Sequence, residues 1–363
     1  MKAYVVERED LIRNIEFLKK KAGDTPIWAV VKGNGYGIGT VPLAKILHEQ
    51  GISHFCVTEL REAELLREAG YSDEPILMLR STQDPTEINR LLDLHVIMTV
   101  GSYETAVAIN GVAAQRADMA EVHLKIDTGM GRYGFLKEDE EQLTSVYRYM
   151  KNIVVAGIYT HFNNAFGNAK QTKQQFAVFM ELVERLQKAG FETGTVHCCN
   201  SSAFLRFPEM HCDGVRLGSA LLGRLSFRHS FPLKTIGYAE TFVEELRWIP
   251  KGHTVGYGAA WKAKERTRVA VVSIGWYNGF GPARENDVYR LRDSIGGMLH
   301  HMKNIFRRRT ILVEVNGHKC RVLGHIGMVN TLIDVTDIPC SAGDRVVMQM
   351  NPLAVKGLKI QYR

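Results

Sequence analysis

The chain has 363 residues, 45% of them hydrophobic and 23% charged, and a formal net charge of +7 at pH 7. The length suggests two domains, and the composition is ordinary for a soluble globular enzyme. Lysine and arginine are spread along the chain apart from one dense patch at 307–309, with no arginine-rich arm and no interleaved basic and aromatic motif. The charge therefore suits small anionic ligands at least as well as nucleic acid, and we expect no nucleic-acid partner.

The six cysteines are too sparse for a disulfide framework in a chain of this length, and their spacing does not fit a zinc site. We therefore expect no metal, reduced thiols and a cytoplasmic location. The N-terminal sequence MKAYVVERED has no apolar signal core, and no stretch reaches the ~18 apolar residues of a membrane span. We expect no association with a membrane.

Short apolar runs alternate with longer amphipathic runs from about residue 8 to residue 225. The amphipathic runs predict helices, several of which end in glycine; they include DLIRNIEFLKKKAG, VPLAKILHEQG, ELREAELLREAG and KQQFAVFMELVERLQKAG. The apolar runs predict strands buried on both faces; they are PIWAVVK, HFCVT, PILML, HVIMTV, EVHLKID, VVAGIYTHF and TVHCCN. About seven or eight β–α units predict a (β/α)8 barrel of the TIM type, with a doubly wound open sheet as the alternative.

The pattern changes after about residue 235, where helical periodicity fades and short strand-like runs recur between turn residues. This region predicts a mainly-β domain. We therefore divide the chain into a barrel domain at residues 1–235 and a C-terminal β domain at residues 236–363. Residues 284–309 are predicted to form an insertion with a helical piece and a basic end.

Polar or ionisable side chains follow the ends of the predicted barrel strands, where the active sites of such barrels lie. They are Lys32, Lys125, Asp127, His161, Asn200, Ser201 and Arg216, with Gly218 and Ser219 as backbone donors. Taken singly, each has a structural explanation: Lys32 can extend to solvent, His161 can be a hydrogen-bonded core residue, and Asn200 can begin a helix. Their joint order favours a functional site.

Seven motifs in this order resemble the alanine racemase family, whose members are pyridoxal-phosphate enzymes with an N-terminal (β/α)8 barrel and a C-terminal β domain. The motifs are VVKGNGYGIG, HLKIDTGMGRYGF, THFNNA, HCCNSSA, DGVRLGSALLG, VGYGAAW and GMVNTLIDVTDI. The resemblance covers almost the whole chain. It implies a racemase of small amino acids, with alanine as the first candidate substrate.

The resemblance assigns Lys32 to covalent attachment of pyridoxal 5'-phosphate and to proton transfer on one face of the substrate. An apolar site lowers the pKa of such a lysine and makes its amine nucleophilic. The glycines after Lys32 are expected to let the backbone pass close to the cofactor. The residues that correspond to the phosphate site are Tyr36, Asn200, Ser201, Gly218 and Ser219.

Arg216 corresponds to the arginine that faces the pyridine nitrogen of the cofactor, and His161 to the residue that supports this arginine. Because an arginine cannot accept a proton, it leaves that nitrogen neutral, which favours proton removal and return at Cα over side reactions. Arg132 corresponds to the arginine near the substrate carboxylate. Lys125 corresponds to a lysine that is often carbamylated in the family and then orients Arg132, and we predict this modification here.

The second face of the substrate is where the resemblance departs from the family pattern. Racemisation needs a base on each face, and in the family a tyrosine from the second subunit's β domain serves the other face, in a motif like G-Y-A-D-G. Here the stretch reads IGWYNGF, and an alignment without gaps puts Trp276 in the tyrosine's place. An indole only donates, so Tyr277 is the candidate base; on a regular strand it would face away from the site unless a bulge turned it inward.

Two further positions depart from the family pattern. A Met-Asp pair beside the substrate carboxylate reads Met328-Val329 here, and a late tyrosine that helps to hold the phosphate has no clear counterpart near Asn351. Met328 remains a candidate substrate-binding residue. The loss of an aspartate and a tyrosine leaves open a substrate other than alanine, either larger or more anionic.

Three functions are compatible with these residues. The first is an amino-acid racemase with Tyr277, a water or another residue on the second face. The second is a one-base enzyme that uses Lys32 alone for epimerisation, Cα exchange, decarboxylation or retro-aldol chemistry, and the third is a non-catalytic pyridoxal-phosphate-binding protein. If the family architecture holds, the protein is a homodimer in which the β domain of one subunit closes the barrel of the other.

Overall fold

The computed structural model describes residues 1–281 and 310–363, so the predicted insertion at 284–309 lies outside the described residues. The chain forms two compact units, Arg8–Ile236 and a second unit made of Met1–Glu7 with Gly237–Arg363. In chain order the described strands are β1 (Ala3–Val6), β2 (Ile27–Val30), β3 (His54–Val57), β4 (Ile76–Met78), β5 (Met98–Val100), β6 (Ala120–Lys125), β7 (Ile153–Tyr159), β8 (Thr195–His197), β9 (Val215–Leu217), β10 (Tyr238–Ile249), β11 (Thr254–Val255), β12 (Trp261–Lys262), β13 (Thr267–Val272), β14 (Leu312–Val315), β15 (His318–Arg321), β16 (Thr331–Asp334), β17 (Arg345–Met348) and β18 (Lys359–Tyr362). The described α-helices are α1 (Arg8–Ala22), α3 (Thr40–Glu49), α4 (Leu60–Glu68), α5 (Pro85–Asp93), α6 (Tyr103–Gln115), α7 (Glu140–Tyr149), α8 (Ala169–Lys188) and α9 (Ser201–Arg206), and the short segment α2 (Lys32–Tyr36) is a turn with left-handed φ values at its last four residues.

Parallel strands of the first unit form two four-stranded sheets, in the orders β4-β3-β2-β9 and β5-β6-β7-β8. The two sheets meet at both edges, because single parallel bridges join Leu77 to Ile97 and His197 to Gly214. These bridges close the strands into a barrel, which confirms the predicted (β/α)8 fold and excludes the open sheet. Every residue of β2, β4 and β5 is buried, as expected for strands covered on both faces.

The helices expected from the four amphipathic runs are present as α1, α3, α4 and α8. On α1, Leu11, Ile15 and Leu18 are buried at the spacing of one helix face. The start of α8 is capped by Asn168, whose side chain accepts a hydrogen bond from the N–H of residue 171 at 3.1 Å, and Gly190 follows its end with a φ of 84°. These local signals fix the helix ends and with them the neighbouring strand ends.

The long strand β10 organises the second unit. Its first half lies between β1 and β17, and its second half pairs with β13. Because β1 also pairs in parallel with β18, the first seven residues belong to this unit. The sequence analysis placed them in the barrel domain, since nothing in MKAYVVERED indicates partner strands near the other end of the chain.

The helices and the His, Cys, Asp and Glu side chains of residues 1–281 and 310–363 bear on membranes and metals. No helix there is long and apolar enough to cross a membrane. In the same residues, no group of three or more His, Cys, Asp or Glu side chains could hold a metal ion. All six cysteines are free thiols.

Candidate active site

A cavity of about 200 Å³ lies at the carboxyl ends of the barrel strands. It brings together the residues that the sequence assigned to the cofactor, which are Lys32, Tyr36, His161, Asn200, Ser201, Arg216, Gly218 and Ser219. One wall is apolar, because Val30 belongs to a buried cluster against which Leu79 packs. An amine, hydroxyls and a guanidinium therefore face one small, partly apolar space.

A left-handed turn follows Lys32 directly. Gly33, Asn34, Gly35 and Tyr36 have φ values of 62°, 54°, 60° and 54°. Left-handed backbone costs roughly 1–2 kcal/mol at each residue with a side chain, so the two glycines halve the number of strained positions. The sequence analysis explained these glycines by close passage of a cofactor; in the structure they permit the turn that brings Tyr36 back to the cavity.

Glu62 on α4 holds this turn in place. Its buried carboxylate accepts hydrogen bonds from the backbone N–H groups of Asn34 at 3.2 Å, Thr58 at 2.9 Å and Glu59 at 3.2 Å. The carboxylate thus ties the loop after β2 to the loop after β3. The position of Lys32 at the cavity depends on this link, since the turn begins at the next residue.

The pKa of Lys32 is lowered from its ordinary value. Burial is the main cause, the charge of Arg132 lowers the pKa further, and Glu62 and Cys56 act in the opposite direction. A lowered pKa increases the neutral fraction of the amine, which is the nucleophilic and proton-accepting form. Lys32 is therefore suited to both covalent attachment and proton transfer.

Two hydroxyl groups lie beside Gly218. The Ser201 Oγ accepts hydrogen bonds from the backbone N–H groups of Gly218 at 3.1 Å and Ala220 at 3.2 Å, which leaves its own O–H able to donate. A Cβ at position 218 would lie 2.1 Å from the Tyr36 Oη, so only glycine leaves room for this phenol. The two hydroxyls can donate to an anion such as a phosphate.

Asn200 is both a helix cap and part of the cavity lining. Its Oδ1 accepts from the N–H groups of Ser202 at 3.1 Å and Ala203 at 3.0 Å, at the start of α9. The structural explanation offered for this residue is thus correct, and it coexists with a position at the cavity. The positive end of α9 adds to the attraction for an anion.

Arg216 on β9 is 2% exposed and is held by hydrogen bonds that it donates. Its Nη1 donates to His197 Nδ1 at 2.6 Å, and its Nη2 donates to the Thr160 carbonyl at 2.7 Å. The guanidinium also lies over the Tyr159 ring, 4.9 Å from its centroid. The sequence analysis assigned the support of Arg216 to His161; in the structure the histidine that accepts from it is His197, at the end of β8.

His161 lines the cavity as a neutral imidazole. Burial lowers its pKa well below the ordinary value, and the charges of Arg216, Lys125, Arg132 and Lys32 lower it further. A neutral ring can donate at one nitrogen and accept at the other. The same four basic side chains lie close enough to act on one imidazole, and such a cluster favours anionic ligands.

Arg132 lies at a second, larger cavity of about 730 Å³, lined by residues that follow β4, β5 and β6. Asp127 shapes the loop that carries Arg132, because its carboxylate accepts from the backbone N–H groups of residues 129–131 at 2.7–2.8 Å. Arg132 is exposed, with its guanidinium 5.6 Å from the centroid of the Tyr133 ring. It is therefore free to meet a carboxylate.

Lys125, at the end of β6, is buried behind this loop. Its Nζ donates to the Tyr133 carbonyl at 2.9 Å. Burial lowers its pKa to about 8, the charge of Arg132 contributes in the same direction, and Asp127 opposes the shift. Lys125 and Arg132 are thus electrostatically coupled, and a carbamate on Lys125, which would turn this repulsion into attraction, stays a prediction.

Two protein-family models match the chain. The alanine racemase N-terminal domain matches residues 6–226, and the alanine racemase C-terminal domain matches residues 236–357. The chain belongs to the alanine racemase family. The alanine racemase of Desulforamulus reducens is 33% identical over 347 residues, or 92% of this chain and 85% of that protein. The alanine racemase of Methanococcus maripaludis is 31% identical over 329 residues, or 89% of this chain and 81% of that protein.

Solved alanine racemase structures share this fold. The alanine racemase of Clostridium difficile 630 superimposes with a TM-score of 0.85 at 24% identity, covering 100% of this chain and 95% of that one. The alanine racemase of Bacillus anthracis with bound L-Ala-P gives a TM-score of 0.82 at 24% identity and the same coverages. The alanine racemase fold therefore extends over the whole described chain.

In the β unit, the stretch aligned with the tyrosine motif of the alanine racemase family is a helical turn. Residues Trp276–Asn278 form a single 3-10 turn after β13, whereas the sequence analysis treated them as a strand. The N–H of Trp276 donates to the Gly327 carbonyl at 3.0 Å, and that of Tyr277 to the Met328 carbonyl at 2.9 Å. Both rings are about half exposed, at 51% and 52%. Neither ring is buried in its own unit, so both are available to a ligand or a second chain.

The other departures from the alanine racemase family pattern lie on the same unit. Met328 and Val329 are 54% and 50% exposed. The Met328 carbonyl accepts a hydrogen bond from the Tyr277 N–H, so Met328 lies next to Tyr277. Asn351 does not replace the missing tyrosine in chemical terms; its side chain accepts from the Leu353 N–H at 3.1 Å and caps a short turn.

Sequence reasoning missed three residues that position the site. They are Glu62, which bonds the backbone of Asn34 in the turn after Lys32, and Tyr159 and His197, which both contact the Arg216 guanidinium. A signal existed for His197, because a histidine interrupts the apolar strand run TVHCC. A polar side chain at a buried strand position needs a partner, and Arg216 is that partner.

Proposed function

We propose that this chain is a pyridoxal 5'-phosphate-dependent isomerase that racemises alanine or a related small amino acid. The observation that carries the proposal is the single cavity lined by Lys32, Tyr36, Ser201 and Arg216. Family membership supports it, since relatives that are 33% and 32% identical are named alanine racemases. A cytoplasmic location agrees with six free thiols.

The residues of the cavity fit this cofactor. Lys32 offers an amine of lowered pKa, Tyr36 and Ser201 offer hydroxyls for a phosphate, and Gly218 keeps the space beside the phenol clear. Arg216 offers a buried donor that cannot take up a proton. Bound there, pyridoxal phosphate supplies an aldehyde that combines with amines and a conjugated ring that spreads negative charge from the substrate Cα.

Different side chains then bind the cofactor and substrate and transfer the proton. Lys32 Nζ takes the Cα proton on one face, because burial lowers the pKa of its amine and so favours the proton-accepting form. Arg216, held by His197 and Thr160, would present a donor that cannot accept a proton to the cofactor ring, and would thereby disfavour protonation of a ring nitrogen beside it. Arg132 pairs with the substrate carboxylate.

The second face requires a group from the β domain, and we assign it to Tyr277 of a second copy of the chain. The protein is accordingly a homodimer in which the C-terminal β domain of one subunit completes the barrel site of the other. The half-exposed rings of Trp276 and Tyr277 support this arrangement, since they are not buried in their own unit. Sedimentation of the purified protein tests it, and a fully active monomer contradicts it.

One observation favours a second candidate function. Trp276 occupies the aligned position of the family tyrosine, and its indole cannot accept a proton. If Tyr277 does not reach the substrate, only Lys32 remains as a base. The chain is then a one-base enzyme that exchanges the Cα proton without inverting the centre, or that acts as a lyase or decarboxylase.

Incubation of the cofactor-loaded protein with a panel of L-amino acids in deuterated water distinguishes these functions. A racemase yields deuterium at Cα together with the D-enantiomer. Exchange with retention of configuration identifies the one-base enzyme. Absence of any exchange and of any consumption of the amino acids, despite a visible absorbance band from bound cofactor, refutes both and leaves a binding protein.

A further inference from the structure

A line of hydrogen bonds runs from Arg216 into the interior of the barrel. The Arg216 Nη1 donates to His197 Nδ1 at 2.6 Å, and His197 Nε2 lies 2.9 Å from His123 Nδ1. The three residues are 2%, 0% and 1% exposed. Burial and the charge of Arg216 lower the pKa of His197 well below its ordinary value and that of His123 to about 3, so both rings are neutral.

The direction of this line is fixed at Arg216, because a guanidinium has donors and no acceptor. His197 Nδ1 must therefore accept, and the one proton of the neutral ring is on Nε2. That proton faces His123 Nδ1, which must accept in turn. Both rings are thus restricted to the tautomer that carries its proton on Nε2.

Packing holds the two rings in this orientation. Tyr159 stacks on His197 with 4.9 Å between ring centroids and 19° between ring planes. Trp28 packs near both imidazoles, with centroid distances of 5.6 Å to His123 and 6.1 Å to His197. A Cβ at Gly157 would lie 2.6 Å from His123 Nε2, so this glycine is what admits the ring.

We propose that His123 is a positioning residue for Arg216, acting by holding His197 in the tautomer that accepts from the guanidinium. Its importance for catalysis rests on the proposed function, in which Arg216 faces the cofactor. Without an acceptor at position 123, the Nε2 proton of His197 is buried with no partner. The ring relieves this unpaired donor by turning or by moving its proton to Nδ1. Either change removes the acceptor from Arg216.

Nitrogen NMR of the full chain labelled with ¹⁵N-histidine tests the tautomers without cofactor or activity. We expect both rings to be neutral with the proton on Nε2, with the signals assigned from single His→Asn variants. A His197 that is protonated on Nδ1, or on both nitrogens, overturns the proposal.

Three variants of the cofactor-loaded enzyme test the positioning role. In H123L we expect kcat to fall by about tenfold or more, because the charged contact of Arg216 with the cofactor is misplaced. We expect KM to stay unchanged and the cofactor absorbance band to shift. H123N keeps an acceptor oxygen near the place of Nδ1 and restores both kcat and the band. H211L removes a histidine whose ring bonds the Phe204 carbonyl at 3.0 Å and stacks on the Phe204 ring, and it is the matched control.

Equal losses in H123L, H123N and H211L overturn the proposal, because they report a general effect on folding. A wild-type chain that binds no pyridoxal phosphate and racemises no amino acid refutes the proposed function instead. The tautomers measured by NMR still decide the role of His123 in that event.

Discussion

Lys125 gives the stability of the protein a defined pH dependence. The side chain is 1% exposed, and its pKa is lowered from 10.5 to about 8 by burial and then by the charge of Arg132. At about 1.4 kcal/mol per pKa unit, this shift corresponds to a penalty of about 3 kcal/mol for folding with the lysine charged. The penalty is fully present below pH 8. It is relieved as the pH rises from 8 to 10.5, where the unfolded chain binds the proton that the folded chain has lost.

Replacement of Lys125 by methionine removes the charge and keeps the length of the side chain. We expect K125M to be more stable than the wild type at pH 7 by about 2 kcal/mol, after about 1 kcal/mol for the lost bond to the Tyr133 carbonyl. The difference should shrink between pH 8 and 10.5. Urea unfolding in buffers free of carbon dioxide measures both effects, with K173M on the exposed face of α8 as the control. Equal stability of K125M and wild type at pH 7, or a difference that does not change with pH, refutes the reasoning.

Bicarbonate extends the same test, because carbon dioxide combines only with the neutral amine. At pH 7.5 about one quarter of an amine with a pKa of 8 is neutral, against about 0.1% at a pKa of 10.5. We therefore expect a carbamate on Lys125 in ¹³C NMR when labelled bicarbonate is added, and no such signal in K125M. An unmodified lysine in intact-mass spectra at saturating bicarbonate contradicts the predicted carbamate on Lys125.

The remaining predictions concern the phosphate side of the cavity and the second base. G218A places a Cβ 2.1 Å from the Tyr36 Oη, so we expect at least tenfold weaker binding of pyridoxal phosphate by fluorescence titration. G111A, where no atom lies within 4 Å of the added Cβ, should leave binding unchanged. If Tyr277 is the second base, Y277F abolishes production of D-alanine while Cα exchange through the first base continues, and W276F keeps both. Unchanged racemisation in Y277F assigns the second face to another group.

The fold could be predicted because its signals are local. Apolar runs of strand length and amphipathic runs with glycine ends each describe one element, and their alternation predicts the barrel. The strand β1 could not be placed in this way. It pairs with β10 and β18, which begin more than 200 residues later, and no pattern within MKAYVVERED distinguishes these partners from barrel strands.

The sequence predicts the candidate site only where the type of residue at a strand end indicates its role. Lys32 and Arg216 could be named from their motifs, and the structure brings them to one cavity. The partner of Arg216 could not, because the choice between His161 and His197 depends on which way each side chain points at a strand end. The left-handed turn at 33–36 was equally hidden: the glycines marked an unusual backbone, but only coordinates give the sign of φ.

The charges of the site couple anion binding to the basicity of the amine. Lys32, Lys125, Arg132 and Arg216 all act on His161, while the nearby Asp127 carboxylate is engaged by three backbone N–H groups. A phosphate or carboxylate that enters this field is attracted, and it offsets the Arg132 charge that lowers the pKa of Lys32. The neutral fraction of the Lys32 amine is thus largest before the anion binds, and the amine becomes a stronger base afterwards. A lysine that must first act as a nucleophile and then accept a proton from carbon needs its pKa to change in that order.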